Sequence, residues 1–284
     1  VGTMEIYDDY LFLGEIVTGS SELRLLSYSD TGDFFDFETG NSGSNLLSDM
    51  KGSLLRLSRL GNQLVVYSTG GSIHLVTHIG GDVLFDYEKV HEGAAPVSAR
   101  SIVNIGPFHL FMSQYGFYLF DGNPLVREIS EEIISARLRN DLSPEFFDRA
   151  WGYVNYADQK VYWIVPHTAT SQTVFQLEYN LQDVSRFRWS VMSYANRATA
   201  MGKYSRVSNL TWDGYQQLNG NQSWSDLQGS PDYLWEDITT RAGFPLRVLG
   251  SLTDAYQLDS TTPNDGSTAI DAYWDSKDFG SSGR

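Results

Sequence analysis

Short apolar runs and alternating apolar positions recur along the whole chain, and Gly, Asn, Asp or Pro lies in nearly every gap between them. This pattern predicts short β-strands joined by turns, because successive side chains of a strand point to opposite faces. The strands predicted before residue 200 are Tyr10–Leu13, Leu23–Ser27, Gln63–Tyr67, Ile73–Thr77, Val83–Tyr87, Ser101–Ile105, Phe108–Met112, Phe117–Phe120, Trp151–Asn155, Lys160–Val165, Val174–Tyr179 and Arg188–Met192. Those predicted after it are Arg206–Trp212, Arg247–Gly250, Ala255–Leu258 and Ala269–Trp274.

One segment departs from the strand pattern. Residues 130–150 carry Ile133, Ile134 and Leu138 at helical spacing, with acidic residues early and arginines late. That charge order complements the helix dipole, and Ser143-Pro144-Glu145 has the composition of a second helix start. The sequence therefore predicts a short helical insertion near residues 130–150.

The strand pattern repeats. Residues 8–14, 62–76, 108–122 and 159–180 each place apolar strands beside short polar connections, and successive units lie roughly 45–55 residues apart, the length of a four-stranded propeller blade. We expect one all-β domain over residues 1–284, a β-propeller of five or six four-stranded blades. Because the chain begins at Val1, we also expect it to be a fragment of a longer protein.

Charge limits the choice of partners. The 284 residues have a net charge of −15, and residues 1–50 hold ten acids against one basic residue, Arg24. A chain this acidic repels phosphate backbones, which argues against ordinary nucleic-acid binding. There is no Cys for a disulfide or a thiolate metal site, and no apolar run has the length that a membrane helix needs.

Chemical motifs are scarce. His74 lies in the predicted strand Ile73–Thr77 and His78 follows it directly, without a third ligand nearby, so we interpret both as ordinary strand histidines. His109, within an apolar strand, is interpreted as a satisfied core or blade-edge histidine. No nucleophile elbow or phosphate-binding loop is present, so no catalytic residue, metal or cofactor is predicted. The remaining candidate functional residues are of two kinds. They are four acids, Asp30, Asp33, Asp36 and Glu38, and three tryptophans in polar surroundings, Trp212, Trp224 and Trp235. The acids are candidates for a channel or solvent face, and the tryptophans for partner contact.

The order of several segments resembles one known family. They include "GNQLVVYSTGGSIHLV", "ARSIVNIGPFHLFMSQYGFYLFDGNPLVREIS" and "DQKVYWIVP", and the resemblance covers about residues 5–280. The sequence is similar to the β-propeller hub, nozzle or stabilisation proteins in the tails of short-tailed bacteriophages. The resemblance implies a non-enzymatic virion protein, assembled in the host bacterial cytoplasm.

By the same resemblance, copies of the chain, six by expectation, form a ring around the DNA exit channel. The ring attaches to the adaptor or portal above and to a tip or needle below, and DNA passes through without specific binding. Two other functions stay open: a propeller that binds or hydrolyses carbohydrate during host recognition, for which exposed Trp and paired carboxylates are the relevant groups, and a monomeric scaffold for protein partners.

Overall fold

The computed structural model describes residues 2–18, 20–81, 83–166, 171–181, 187–194, 200–204, 246–250, 255–257, 264–265 and 268–269. The chain divides into two compact units, residues 1–195 and 196–284, which are described separately.

Sheets 1 and 2 are the first half of the first unit. Sheet 1 contains β1 (Thr3–Tyr7), β2 (Tyr10–Thr18), β3 (Ser20–Tyr28) and β4 (Gly43–Leu46). Sheet 2 contains β5 (Leu54–Leu60), β6 (Gln63–Ser68), β7 (Ser72–His78) and β8 (Phe85–Glu92). In both sheets the strands are antiparallel and adjacent in the order of the chain.

Sheets 3 and 4 repeat this arrangement around a helical segment. Sheet 3 contains β9 (Ile102–Asn104), β10 (His109–Met112), β11 (Phe117–Phe120) and β12 (Arg127–Glu128). Sheet 4 contains β13 (Trp151–Asn155), β14 (Lys160–Pro166), β15 (Gln172–Glu178) and β16 (Arg188–Tyr194). The prediction of an all-β chain built from four-stranded antiparallel sheets is confirmed.

Short helices lie at the connections into sheet 3 and sheet 4. A 3-10 turn, Ala99–Ser101, precedes β9, and α1 (Glu132–Asp141) is followed by a 3-10 helix, Pro144–Arg149. The last two fall inside the segment where the sequence predicts helix. Pro144 occupies the first helical turn as predicted, but the Ser143 side chain makes no capping hydrogen bond.

The second unit contributes shorter described elements. Strands β17 (Ala200–Tyr204), β18 (Leu246–Gly250) and β19 (Ala255–Gln257) form an antiparallel sheet. Strands β20 (Asn264–Asp265) and β21 (Thr268–Ala269) form a two-stranded ladder.

Each pair of consecutive sheets in the first unit shares a buried apolar cluster. β6 shows how, because its alternate side chains enter two clusters: Leu64 and Val66 pack with sheet 1 residues, whereas Val65 and Tyr67 pack with sheet 3 residues. A third cluster joins sheet 3, α1 and sheet 4 around Phe117 and Trp163. Strands buried on both faces require near-continuous apolar sequence, which explains the "QLVVYS" run of β6.

Hydrogen bonds also tie together the first strands of neighbouring sheets. The Leu57 amide of β5 donates to Thr3 Oγ1 of β1 at 3.1 Å, and the Asn104 amide side chain at the end of β9 donates to the Arg59 carbonyl of β5 at 2.7 Å. The Tyr156 hydroxyl, just after β13, donates to the Asn104 carbonyl at 2.7 Å. The ends of β5, β9 and β13 are therefore held close together.

Candidate functional site

The four candidate acids lie in one hairpin, residues 29–42, which connects β3 to β4 and is called here the acidic hairpin. Asp33 and Glu38 are exposed, whereas Asp30 and Asp36 are half-buried. Residues 25–50, which include all four acids, contain no Lys or Arg. The hairpin is thus a strongly acidic element, as the sequence indicates. Whether it borders a channel stays a prediction.

Three of these carboxylates fold the hairpin itself. Asp33 Oδ1 accepts the Phe35 amide at 3.1 Å, and Asp30 Oδ1 accepts the Asn41 amide at 2.7 Å. Asp36 Oδ1 accepts the amides of Glu38 and Thr39, each at 2.9 Å, and Asp36 also bonds the Thr39 hydroxyl. The Thr39 hydroxyl, followed by these two amides, lowers the pKa of Asp36. Carboxylates that accept backbone amides in this way are a common device for stabilising turns.

The backbone of the hairpin is built around these bonds. Gly40 has φ +63° and lies so close to the Asp30 carboxylate that a Cβ atom would meet it at 2.4 Å. At the opposite side of the loop the Phe35 side chain is 95% exposed. An acidic loop of defined conformation therefore presents an aromatic ring to solvent.

The histidines are placed as strand residues. His74 and His78 lie on the same face of β7, and each contacts a different aspartate: His74 Nε2 lies 3.0 Å from Asp49 Oδ1, and His78 contacts Asp8. His109 is fully buried in β10 with both ring nitrogens hydrogen-bonded, which confirms its interpretation as a satisfied core histidine. No group of three or more potential metal ligands occurs in the part of the chain that the structure describes.

The tryptophans divide into buried and undescribed positions. Trp163 is fully buried and Trp189 packs against the same cluster, as their apolar strands indicate. Trp212, Trp224 and Trp235 lie outside the described residues, so their role in partner contact stays a prediction.

Sheet 1 has an apolar face that lacks a neighbouring sheet within the described part of the first unit. Cross-strand pairs place Met4 beside Leu13, Ile6 beside Leu11 and Leu25 beside Leu46, all on the face opposite the cluster shared with sheet 2. Met4, Ile6 and Leu46 are 67%, 50% and 56% exposed. These six residues are called here the outward face of sheet 1. They form a contiguous patch, and exposed patches of this kind mark contact surfaces.

Membrane insertion through a helix has no support in the described residues, since none of their helices combines the required length and apolarity. Comparison with protein-family models gives no match to the chain. Comparison with curated proteins gives no match either.

Proposed function

We propose that the four sheets of the first unit are consecutive blades of a β-propeller, and that the protein is a structural, non-enzymatic component of a bacteriophage tail. The observation that supports the proposal is the regular repeat. The first strands begin at residues 3, 54, 102 and 151, so successive sheets begin 51, 48 and 49 residues apart. Meandering four-stranded sheets at this spacing are typical of propeller blades.

The contacts between sheets support the same architecture. In a propeller the first strands of all blades lie nearest the axis, and neighbouring blades pack face to face. The hydrogen bonds that link β1 to β5, β5 to β9 and the start of sheet 4 to β9 fit that arrangement. The repeat also continues in the sequence, because β17 begins 49 residues after β13. We therefore propose that the chain forms a propeller of five or six blades.

The outward face of sheet 1 offers a direct test of ring closure. In a closed propeller this face packs against one more blade, so a charge placed there would be buried. We expect Ile6→Lys to lower the free energy of unfolding by about 1–3 kcal/mol, since an unpaired charge would lose its hydration. Denaturant unfolding monitored by tryptophan fluorescence measures the change. Ile79→Lys, at a 59% exposed isoleucine in the connection between β7 and β8, is the charge-matched control, and an Ile6→Lys protein as stable as the parent would contradict closure.

The tail function rests on the resemblance of the ordered sequence segments to tail hub and nozzle proteins. In that function six copies form a ring around the exiting DNA, with the adaptor or portal on one side and the tip or needle on the other. The acidic hairpin connects the third and fourth strands of sheet 1. Its Asp33 and Glu38 side chains are exposed, and its Gly32 amide donates to the Asp9 carbonyl in the turn after β1 at 2.9 Å. We propose that it faces the solvent at the outside of the ring, where its charge keeps the assembly soluble.

Mass photometry and negative-stain imaging of the purified chain test the assembly. The tail function predicts rings with about six times the 31.9 kDa mass of one chain. A parallel screen for polysaccharide binding and reducing-sugar release tests the alternative carbohydrate function. Rings without sugar binding support the tail protein. A monomer that binds or cleaves a polysaccharide would replace it with the host-recognition propeller, and an inert monomer would favour the scaffold.

A further inference from the structure

A buried group of polar side chains lies between sheet 2 and sheet 3. It consists of Arg56 in β5, Tyr67 in β6 and His109 in β10, and is called here the polar seam. Tyr67 and His109 are completely buried. The Arg56 guanidinium crosses to the other sheet and donates to the Ala99 and Ile102 carbonyls at 2.7 and 2.6 Å.

The hydrogen bonds of His109 fix its tautomer. Nε2 lies 3.0 Å from the Arg59 carbonyl oxygen, which can only accept, so Nε2 carries the proton. Nδ1 is then an acceptor, and the Tyr67 hydroxyl donates to it at 2.9 Å. The Ser58 hydroxyl lies at 3.4 Å from Nε2, on the same side as the Arg59 carbonyl. All of these partners come from sheet 2, so the neutral ring connects the two sheets at both nitrogens.

The surroundings of the ring disfavour a positive charge. On its own sheet His109 is paired with Asn104 and Phe120, neither of which is charged. From sheet 2 the charge that acts on it is the Arg56 cation, and the Glu5 carboxylate of β1 interacts with that cation rather than with the ring. Burial, with a smaller contribution from Arg56, lowers the pKa of His109 to about 4, although the bond to the Arg59 carbonyl favours the charged form.

We propose that the polar seam is an acid-sensitive joint, in which protonation of His109 Nδ1 loosens sheet 2 from sheet 3 before either sheet unfolds. The added proton turns Nδ1 from an acceptor into a donor. The Tyr67 hydroxyl then loses its acceptor inside the protein, and two cations, His109 and Arg56, share the same interface. Separation of the two sheets hydrates both charges and relieves the mismatch.

The sign of the effect follows from the two protonation equilibria. When the joint opens, the His109 ring returns to its ordinary pKa of 6.5, above its value of about 4 in the closed joint. The open state therefore binds more protons, so closure is fully favoured above pH 6.5 and weakens as the pH falls from 6.5 towards 4. Between pH 7.5 and 5.5 the opening equilibrium should rise on the order of tenfold.

Hydrogen exchange measured by mass spectrometry at pH 7.5 and 5.5, corrected for intrinsic exchange rates, tests the proposal. At pH 5.5 carboxylates with ordinary pKa values are still ionised, so His109 is separated from general acid effects. We expect opening at peptides of β6 and β10 to increase about tenfold, and opening at β14 and β15 to increase much less. Equal increases in both regions, or no increase at β6 and β10, would overturn the joint.

Two substitutions separate His109 from the other histidines. His109→Gln retains a donor and an acceptor but cannot be protonated, and should remove the pH response at β6 and β10. His91→Gln is the matched control, because the His91 ring also connects sheet 2 to sheet 3, through the Pro124 carbonyl at 3.2 Å, and should leave the response intact. A response that persists in His109→Gln would overturn the proposal.

A measurement on the unsubstituted protein covers the case in which His109→Gln fails to fold. In an NMR titration of the five histidine rings, the ring with the lowest midpoint should be His109, identified by its contact with the Tyr67 ring. A midpoint near 4 supports the joint. Titration of every ring near 6.5 would overturn it.

Discussion

Two interfaces in the first unit, between sheets 3 and 4 and between sheets 2 and 3, are built from different kinds of side-chain contact. Between sheets 3 and 4 the contact is aromatic: the Phe117 ring lies 4.7 Å from Trp163, 5.2 Å from Phe175 and 4.8 Å from Trp189, measured between ring centroids. Between sheets 2 and 3 the contact combines an apolar cluster that includes Phe111 and Phe120 with the polar seam. The first interface depends on shape and apolar area, and the second depends in addition on hydrogen bonds whose donors and acceptors must stay matched.

The difference has consequences for how each interface responds to change. Among the described residues the cluster of the aromatic interface contains no histidine, and Trp163 Nε1 donates to the Ser101 carbonyl at 2.9 Å. It should be sensitive to lost volume and insensitive to acid. At the polar seam, removal of side-chain volume should lower stability less than it does at the aromatic interface. Addition of a proton or deletion of a hydrogen-bond partner should lower it more.

The largest effect is expected at Trp163. Trp163→Ala removes a fully buried side chain from the aromatic interface and should lower the free energy of unfolding by about 3–5 kcal/mol, through lost apolar burial and a cavity. Chemical denaturation at pH 7.5 and 5.5 measures it, and the loss should be the same at both values. Trp163→Phe, which keeps a ring, should cost less. A variant as stable as the parent would show that this interface is not part of the core.

A smaller effect is expected at Arg56. Arg56→Met keeps most of the side-chain length but removes the donor to the Ala99 and Ile102 carbonyls, and should cost about 1–3 kcal/mol. Arg59→Met is the matched control on the same strand, because the Arg59 side chain is exposed and donates to the Gly61 carbonyl of its own turn rather than to sheet 3. Denaturant midpoints measure the stability of both variants. Equal losses of stability would mean that the hydrogen bonds from Arg56 to sheet 3 do not stabilise the protein.

These interfaces also show which parts of the fold could be predicted. The inner strands of each sheet in the first unit were found because their apolar runs are continuous. Phe117–Phe120 matches the structure at both ends, as does the edge strand Trp151–Asn155. In the first unit β1, β4, β5 and β12 were missed. Their sequences, "TMEIY", "GSNL", "LLRLSRL" and "RE", are short, polar or interrupted by charged residues, and each is the first or last strand of its sheet, where charged residues are common.

The missed strand β5 is also the reason that the polar seam was missed. Arg56 interrupts an apolar run, and a charged residue in such a position is a signal for a buried polar partner. The identity of that partner depends on contacts with residues 99 and 102, which strand patterns alone do not give. The hydrogen bonds within the acidic hairpin follow a local pattern that the sequence alone can indicate. Asp33 and Asp36 accept from amides two or three residues ahead, the usual spacing of an aspartate turn.

A still smaller effect is expected from one hydroxyl in the polar seam. Tyr67→Phe keeps the buried ring but leaves His109 Nδ1 without its donor, and should cost about 1 kcal/mol at pH 7.5. Tyr118→Phe, at a half-buried tyrosine beside the same interface, is the control and should stay within about 0.5 kcal/mol of the parent. Thermal unfolding curves measure both. If the two variants lose the same stability, the hydrogen bond between Tyr67 and His109 makes no measurable contribution to the stability of the fold.

The smallest effect is expected in the acidic hairpin, where solvent reaches the hydrogen bonds. The Thr39 hydroxyl and the amides of Glu38 and Thr39 favour the ionised form of Asp36 and lower its pKa below the ordinary 3.8. Since the pKa is lower in the folded hairpin, these bonds are fully present above pH 3.8 and are lost as the pH falls through the folded value. The amide signals of Glu38 and Thr39 in an NMR titration report this step, which should have its midpoint below 3.8. In Asp36→Asn, which keeps an acceptor but has no titrating group, the step at the Glu38 and Thr39 amides should vanish. A midpoint at or above 3.8 in the parent would mean that these exposed bonds do not hold the hairpin, and that its conformation comes from the Asp30 and Gly40 contact instead.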